Sequence, residues 1–155
     1  HILMFKKILF ASEFGPVSSN AERYAIDLAR TSRASCHLIH VIEAIHLDDD
    51  QEVENLYTNL KARASFQFDK ILERFREAEV SCDGHIEIGQ RWRSILAAAD
   101  EYDCDLIVLG TRRFDDHSRP YLGTTSHKIF MTSPVPLLVI PSVTTVAAPS
   151  RADTP

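Results

Sequence analysis

The sequence has little of what usually announces chemistry. No apolar run approaches the roughly 18 residues of a membrane span, so no membrane partner is expected. The three cysteines, Cys36, Cys82 and Cys104, are odd in number, widely spaced and without a CxxC pair. That excludes a disulfide framework and a zinc knuckle, and leaves reduced, partly buried thiols as the expectation. Basic charge is scarce: 17 Lys and Arg stand against 22 Asp and Glu, a formal charge of −5. A chain built to wrap nucleic acid shows the opposite balance, so no nucleic-acid partner is expected. HExxH, GxSxG, the P-loop GxxxxGK[ST] and GxGxxG are all missing. None of the seven histidines (His1, His37, His40, His46, His85, His117, His127) has a cysteine at ligand spacing. His37 and His40 lie three apart in a strand-like run, point to opposite faces and cannot share a metal. Asp115-Asp116-His117 reads as a solvated loop. Trp92, between Arg91 and Arg93, reads as an interface or helix-start residue.

What is present is ordinary globular material. The 155 residues are 45% hydrophobic and 25% charged, which excludes wholesale disorder. At roughly 100–200 residues per domain, one domain is expected, here over residues 4–141. His1-Ile2-Leu3 before Met4 reads as a cloning remnant. Phe5-Lys6-Lys7-Ile8-Leu9 runs straight into a short apolar segment with no signal-peptide pattern, so a cytoplasmic location is expected.

Strand and helix patterns alternate along the chain. Lys6–Ser12 (KKILFAS) reads as a buried parallel strand. Ser18-Ser19-Asn20 supply N-cap candidates for a helix whose Ala21, Ala25, Leu28 and Ala29 recur at helical spacing through Arg30. Ser35–Ile42 is a second strand. Asp48-Asp49-Asp50 is a loop whose charge suits the start of a following helix. Apolar positions Val53, Leu56, Leu60, Phe68, Ile71, Leu72 and Phe75 predict one long helix over Glu52–Glu79, or two with a break. Ser81–Gly84 reads as a turn, His85–Ile88 as a short strand, Ser94–Tyr102 as a helix and Asp105–Leu109 as a strong strand. A helix opens at Thr124 and runs to Met131. Leu137–Ile140 is a last strand, fenced by Pro136 and Pro141. Residues Ser142–Pro155 carry no core-forming period and read as a flexible tail. This β-α alternation predicts a parallel sheet with helices on both faces. Right-handed crossovers leave two common strand orders, 2-1-3-4-5 and 3-2-1-4-5, and periodicity does not choose between them.

Ligands of open parallel sheets sit beyond the carboxyl ends of the strands, at the switch point. Two loops there carry polar chemistry. Ala11-Ser12-Glu13 follows the first strand. After the fourth come Leu109, Gly110, Thr111, Arg112 and Arg113, then Arg119, and Gly123-Thr124-Thr125-Ser126 at a helix start. Gly110 is expected to let the backbone turn away from the sheet. The helix start offers unpaired N–H groups and a dipole that favour an anion, and three arginines make this loop basic in an acidic chain.

These residues resemble the universal stress proteins over Lys6–Pro141. The likeness rests on Ala11-Ser12-Glu13 after the first strand, on Cys36–Ile42, on Gly89 followed by Ile95 and Ala98-Ala99, on DLIVLG, and on PVPLLVIP at the end. The family's nucleotide motif is Gly, two residues, Gly, nine residues, then Gly-Ser or Gly-Thr. Gly110, Arg113 and Gly123-Thr124 fall at that spacing. The resemblance implies an α/β fold with an open five-stranded parallel sheet of order 3-2-1-4-5, Rossmann-like and of the adenine nucleotide alpha hydrolase type. It implies a regulatory protein that binds an adenine nucleotide (AMP, ADP or ATP, with or without Mg) with little or no turnover, a slow ATPase at most. Backbone at Ser12 and Val41 would hold adenine, Glu13 the ribose, and Gly110, Thr111, Gly123, Thr124 and Thr125 the phosphates. It also implies a homodimer through the last strand, Leu137, Leu138, Val139 and Ile140.

Two positions depart from the family pattern. Arg113 replaces the motif's second glycine, and Glu13 stands where binding members carry Asp. An arginine at positive φ costs about 1 kcal/mol or more, and its side chain is expected to narrow the cradle, so that AMP or ADP bind at least as well as ATP. The alternative is a dimeric interaction module of the same fold with its site blocked and no nucleotide. A cradle filled by the Arg113 side chain is what would distinguish it.

Overall fold

The computed structural model of the chain describes residues 4–46, 48–114 and 122–147. The expected remnant at 1–3, Arg119 and the Asp115-Asp116-His117 loop, and the end of the expected tail lie outside these residues. Nine elements alternate: β1 (Lys7–Ala11), α1 (Gly15–Ser32), β2 (Ser35–Glu43), α2 (Asp50–Glu77), β3 (Cys82–Gly89), α3 (Arg91–Glu101), β4 (Leu106–Phe114), α4 (Thr124–Thr132) and β5 (Leu137–Val146). All four strand pairings are parallel, and the order is β3-β2-β1-β4-β5. Of the two orders the pattern allows, the chain adopts the one the family resemblance implies.

The strands are apolar on both sides because both sides are covered. Alternate residues feed two cores. Ile8, Phe10, Cys36, Leu38, Leu106, Val108 and Ile140 face α1 and α2, meeting Ala21, Ala25, Ala29, Phe68, Ile71 and Phe75. Leu9, Ala11, Ile39, Val41, Ile107 and Leu109 face α3 and α4, meeting Ile95, Ala98 and Ile129. The alanine stripe of α1 brings that helix close to the sheet. Arg74 on α2 grips Glu22 on α1 through two bonds of 2.6 and 2.8 Å, so the helices of one face are also tied to each other. At the amino end of the sheet, the backbone N–H groups of Lys6 and Lys7 donate to the Asp105 carboxylate, pinning β1 beside β4.

The structure corrects several element boundaries. Helix α1 begins at Gly15, ahead of the expected Ser18 cap, with Pro16 in its first turn. Helix α2 is one unbroken helix, and Asp49 caps it by accepting from the N–H groups of Gln51 and Glu52. Ser81–Gly84 is not a turn from Cys82 onward: Cys82–Gly89 pairs with Cys36–Glu43. A side chain at Gly84 would strike the Leu38 carbonyl and the Phe68 ring, so glycine here serves close packing of α2 on the strand. Strand β5 continues past Ile140 to Val146, with Arg113 opposite Thr145 and Phe114 opposite Val146. Residues 142–146, expected as the start of a tail, are therefore sheet. Pairing with a neighbouring strand supplied the order that this polar stretch does not encode locally.

All three cysteines are unpaired thiols. Burial pushes the Cys36 thiol well up and the Cys104 thiol up to about 11, so neither is ionised near neutral pH.

An imidazole is buried at the amino end of β2. His37 is 2% exposed. Its Nδ1 lies 2.8 Å from Asp83 Oδ1 and its Nε2 lies 2.8 Å from His85 Nδ1, with Tyr102 stacked on the ring at 3.8 Å. Burial lowers its pKa from 6.5, and Asp83 only partly opposes this. The unfolded chain therefore binds this proton more readily than the folded one. The resulting stability is fully present above the unfolded value and is lost as pH falls through 6.5 toward the lower folded value. Urea unfolding between pH 7.5 and 5.5 should show stability falling with acidity, by at most about 1.4 kcal/mol per pH unit for this one proton. His37→Asn should flatten that slope. A slope unchanged in the variant would assign it to other groups.

Candidate functional site

The loop leaving β1 is ordered by its own polar atoms. The Ser12 N–H donates to the Ile39 carbonyl at 3.0 Å, continuing the sheet one residue beyond the strand. The Glu13 N–H donates to Ser18 Oγ at 2.8 Å and the Phe14 N–H to Ser12 Oγ at 3.1 Å. His40 Nδ1–H donates to the Ser12 carbonyl at 2.7 Å, and its ring stacks on Phe14 at 3.8 Å. Burial lowers the His40 pKa from its ordinary value, against the pull of that carbonyl. Phe14 has φ 64° and ψ 169°. That region is nearly glycine-only and costs on the order of 1–3 kcal/mol, held here by the bonds on either side.

The strained turn aims the first turn of α1 at β4. A side chain on Gly110 would be driven into the Val17 carbonyl. Gly110 therefore does not turn the backbone away from the sheet, as expected from sequence; it remains in β4, paired with Ile140, and makes room for the helix. β4 runs on to Phe114, with an irregularity between Thr111 and Arg113.

Between these loops lies a cavity of about 210 Å³. Ala11, Ser12 and Glu13 line it from β1, and Val41 from β2. Leu109, Gly110, Thr111 and Arg112 line it from β4, and Gly123, Thr124, Thr125 and Ser126 from the start of α4. Every residue assigned to the site from sequence is here except Arg113. Arg113 has no positive φ. It is extended, and its Nη2 donates to the Val143 carbonyl on β5 at 3.1 Å. Neither the backbone strain nor the narrowed cradle expected of it is found, because β5 continues far enough to give the guanidinium a partner. The expectation that AMP or ADP bind at least as well as ATP thereby loses the basis given for it.

The start of α4 has the features of an anion site. Its N-cap, Gly123, has no side chain to cap it, so among the described residues the amides of the first turn have no capping side chain. Among the described residues, a Cβ on Gly123 would meet nothing nearer than Thr111 Oγ1 at 3.9 Å. Among the described residues, no group of three or more His, Cys, Asp or Glu could hold a metal.

Sequence reasoning missed part of the lining. Val17, Ser18, Ile39, Arg91 and Ile95 also face the cavity. Ile39 and Ile95 look like any other core positions in the sequence. Arg91 carried a signal, being a base at the helix start that follows the third strand, but its partner could not be read. Its Nη1 lies 2.8 Å from Glu13 Oε1 and 3.5 Å from Glu43 Oε1. Trp92, the single tryptophan, packs against the α3–α4 core with Arg93 and Lys128 about 5 Å from its ring.

A cavity beside a helix start at the switch point of a 3-2-1-4-5 parallel sheet defines a doubly wound, Rossmann-like α/β protein. The particular family follows from comparison. Residues 4–141 match the model of the universal stress protein family, and the chain belongs to that family. A universal stress protein of Mycobacterium tuberculosis strain H37Rv is 41% identical over 75 residues, which is 46% of this chain and 26% of that protein. The chain thus aligns with about a quarter of the length of that relative. One from Bacillus subtilis is 24% identical over 88% of this chain and 99% of its own length. The solved universal stress protein UspA of Lactobacillus plantarum superposes with a TM-score of 0.76 at 21% identity, covering 87% of this chain and 97% of that one. Two further solved members contain a nucleotide. One is a complex with cAMP (TM-score 0.68, 15% identity, 90% and 98% coverage). The other, from Arabidopsis thaliana, has AMP bound (0.66, 18%, 97% and 95%). No helix among the described residues is long and apolar enough to cross a membrane.

Two glycine substitutions test the cavity wall. Gly110→Ala should cost about 1–3 kcal/mol, because two backbones must separate. Gly123→Ala should cost under about 0.5 kcal/mol, because the added methyl meets open space. Urea midpoints with unchanged m-values measure both. Equal costs would show that α1 does not lie against Gly110.

Proposed function

We propose that the chain is a universal stress protein of the nucleotide-binding kind: it holds an adenine nucleotide at the β1–β4 switch point, with little or no turnover, and acts as a regulatory binding protein. The observation that carries this is the convergence of the Ala11–Glu13 loop, Val41, the Leu109–Arg112 segment and the Gly123–Ser126 helix start on one open cavity. Adenine would lie against backbone at Ser12 and Val41, with Glu13 at the ribose. The phosphates would meet the α4 amides and Arg112. The cAMP- and AMP-bound relatives support a nucleotide at the coarse level. Arg113 is bonded to β5 instead of filling the cradle, which favours this reading over the blocked interaction module.

We also propose a homodimer through β5. This strand forms one edge of the sheet, and exposed edges are pairing sites unless covered. Leu137, Leu138 and Val139 are half-buried and Ile140 is buried. Phe130 and Met131 on α4 and Val143 on β5 are exposed. A two-fold antiparallel pairing would cover this edge and close at two chains.

Mass spectrometry of heat-released ligand, and titration of the purified chain with AMP, ADP and ATP followed through Trp92 fluorescence, test the site. Binding is expected, and Gly123→Val should weaken it at least tenfold while the chain stays folded, by filling the space before the α4 amides. No released nucleotide and no binding at millimolar ligand would sink the reading. For the dimer, Val139→Asp should shift sedimentation equilibrium toward monomer, and Phe66→Ser, on the distant surface of α2, should not. A wild-type monomer at high micromolar concentration would refute the dimer.

A further inference from the structure

The two ends of the cavity differ in charge. Arg112 and the uncapped amides of α4 mark one end. At the other, three loops meet on one guanidinium. Arg91 Nη1 is 2.8 Å from Glu13 Oε1, on the loop after β1, and 3.5 Å from Glu43 Oε1, at the end of β2. The Arg91 backbone N–H, at the start of α3, donates to the same Glu43 oxygen at 3.3 Å. Two carboxylates around one guanidinium leave this end with one net negative charge. The three side chains are 28–47% exposed, so the field is screened but not abolished.

We infer that the Glu13–Arg91–Glu43 cluster is the discriminator of the site, selecting adenine nucleotides whose ribose hydroxyls carry no phosphate and rejecting those with a phosphomonoester on the 2′ or 3′ oxygen. This rests on the nucleotide reading above and adds the chemical class of ligand to it. An ionised carboxylate only accepts hydrogen bonds. Glu13 therefore suits hydroxyl donors and repels a phosphate in the same place. Arg91 is a positioning residue. A glutamate side chain has three rotatable bonds, and the ion pair fixes where its carboxylate points. The pair also halves the negative charge at this end, so hydroxyls are accepted without an excess that would repel the 5′-phosphate.

The test compares dissociation constants of AMP, ADP and adenosine 3′,5′-bisphosphate for the full chain, by calorimetry and Trp92 fluorescence. ADP carries its extra phosphate at the 5′ end and controls for total charge. The 3′,5′-bisphosphate should bind at least tenfold more weakly than AMP and ADP. Glu13→Gln and Glu43→Gln each remove one negative charge and should narrow the bisphosphate-to-AMP ratio at least threefold. Arg91→Met leaves both carboxylates unneutralised and should widen it. A general loosening of the loops would not move the ratio in opposite directions. A wild-type protein that binds the bisphosphate as tightly as AMP or ADP overturns the inference, as does a ratio that all three variants move the same way. If none of the three nucleotides binds the wild type, the nucleotide reading itself falls and takes this inference with it.

Discussion

The close approach of α1 to β4 at Gly110 is the constraint on which the site depends. The Val17 carbonyl occupies the place a side chain would need. The helix can come that near only because it presents Ala21, Ala25 and Ala29 to the sheet and because Gly110 presents nothing. With α1 seated there, its first turn has to be reached within a few residues of the end of β1. Phe14 at φ 64° is the consequence, a local cost accepted because the surrounding bonds over-determine the turn. Those bonds use Ser12, Ser18 and His40, so the loop is rigid before any ligand arrives. A preformed wall needs no ordering when it is occupied, which favours affinity.

On the other side of the cavity the order is reversed. Among the described residues, no side chain caps the α4 start and nothing crowds Gly123. The first amides of a helix have no partner within the helix, and its dipole favours an anion there. A rigid wall facing an unsatisfied one gives the cavity a direction, and the charged residues sharpen it. Arg112 stands with the amides; Glu13 and Glu43 gather around Arg91 at the far end. The chain is acidic overall, so this local separation of charge is a property of the site and not of the surface at large.

The catalytic possibilities narrow for physical reasons. The thiols of Cys36 and Cys104 are buried and protonated. The buried imidazole of His37 has both nitrogens occupied by Asp83 and His85, at the amino end of the sheet, away from the cavity. His40 lies beside the site, but its Nδ1 proton is committed to a backbone carbonyl and its ring to Phe14. These four titratable groups thus serve structure.

Most of the architecture was legible in the chain, because it is written in local patterns. Apolar runs of strand length, alanines at helical spacing and a small-residue helix start need no partner to be recognised. They determined the element order, the parallel sheet and the end of the sheet that holds the site. The family motif narrowed the strand order further. What the tertiary structure alone decided involves partners distant in sequence. Strand β3 begins at Cys82 and strand β5 runs to Val146 because a neighbouring strand pairs with each. Arg113 leaves the cradle because Val143 offers a carbonyl on that extension. Glycine at 110 serves an approaching helix and not a turn. Arg91 meets Glu13 only after two crossovers have brought the third strand's loop beside the first. Periodicity reports which face of an element is buried, and is silent about which atom of another element it is buried against.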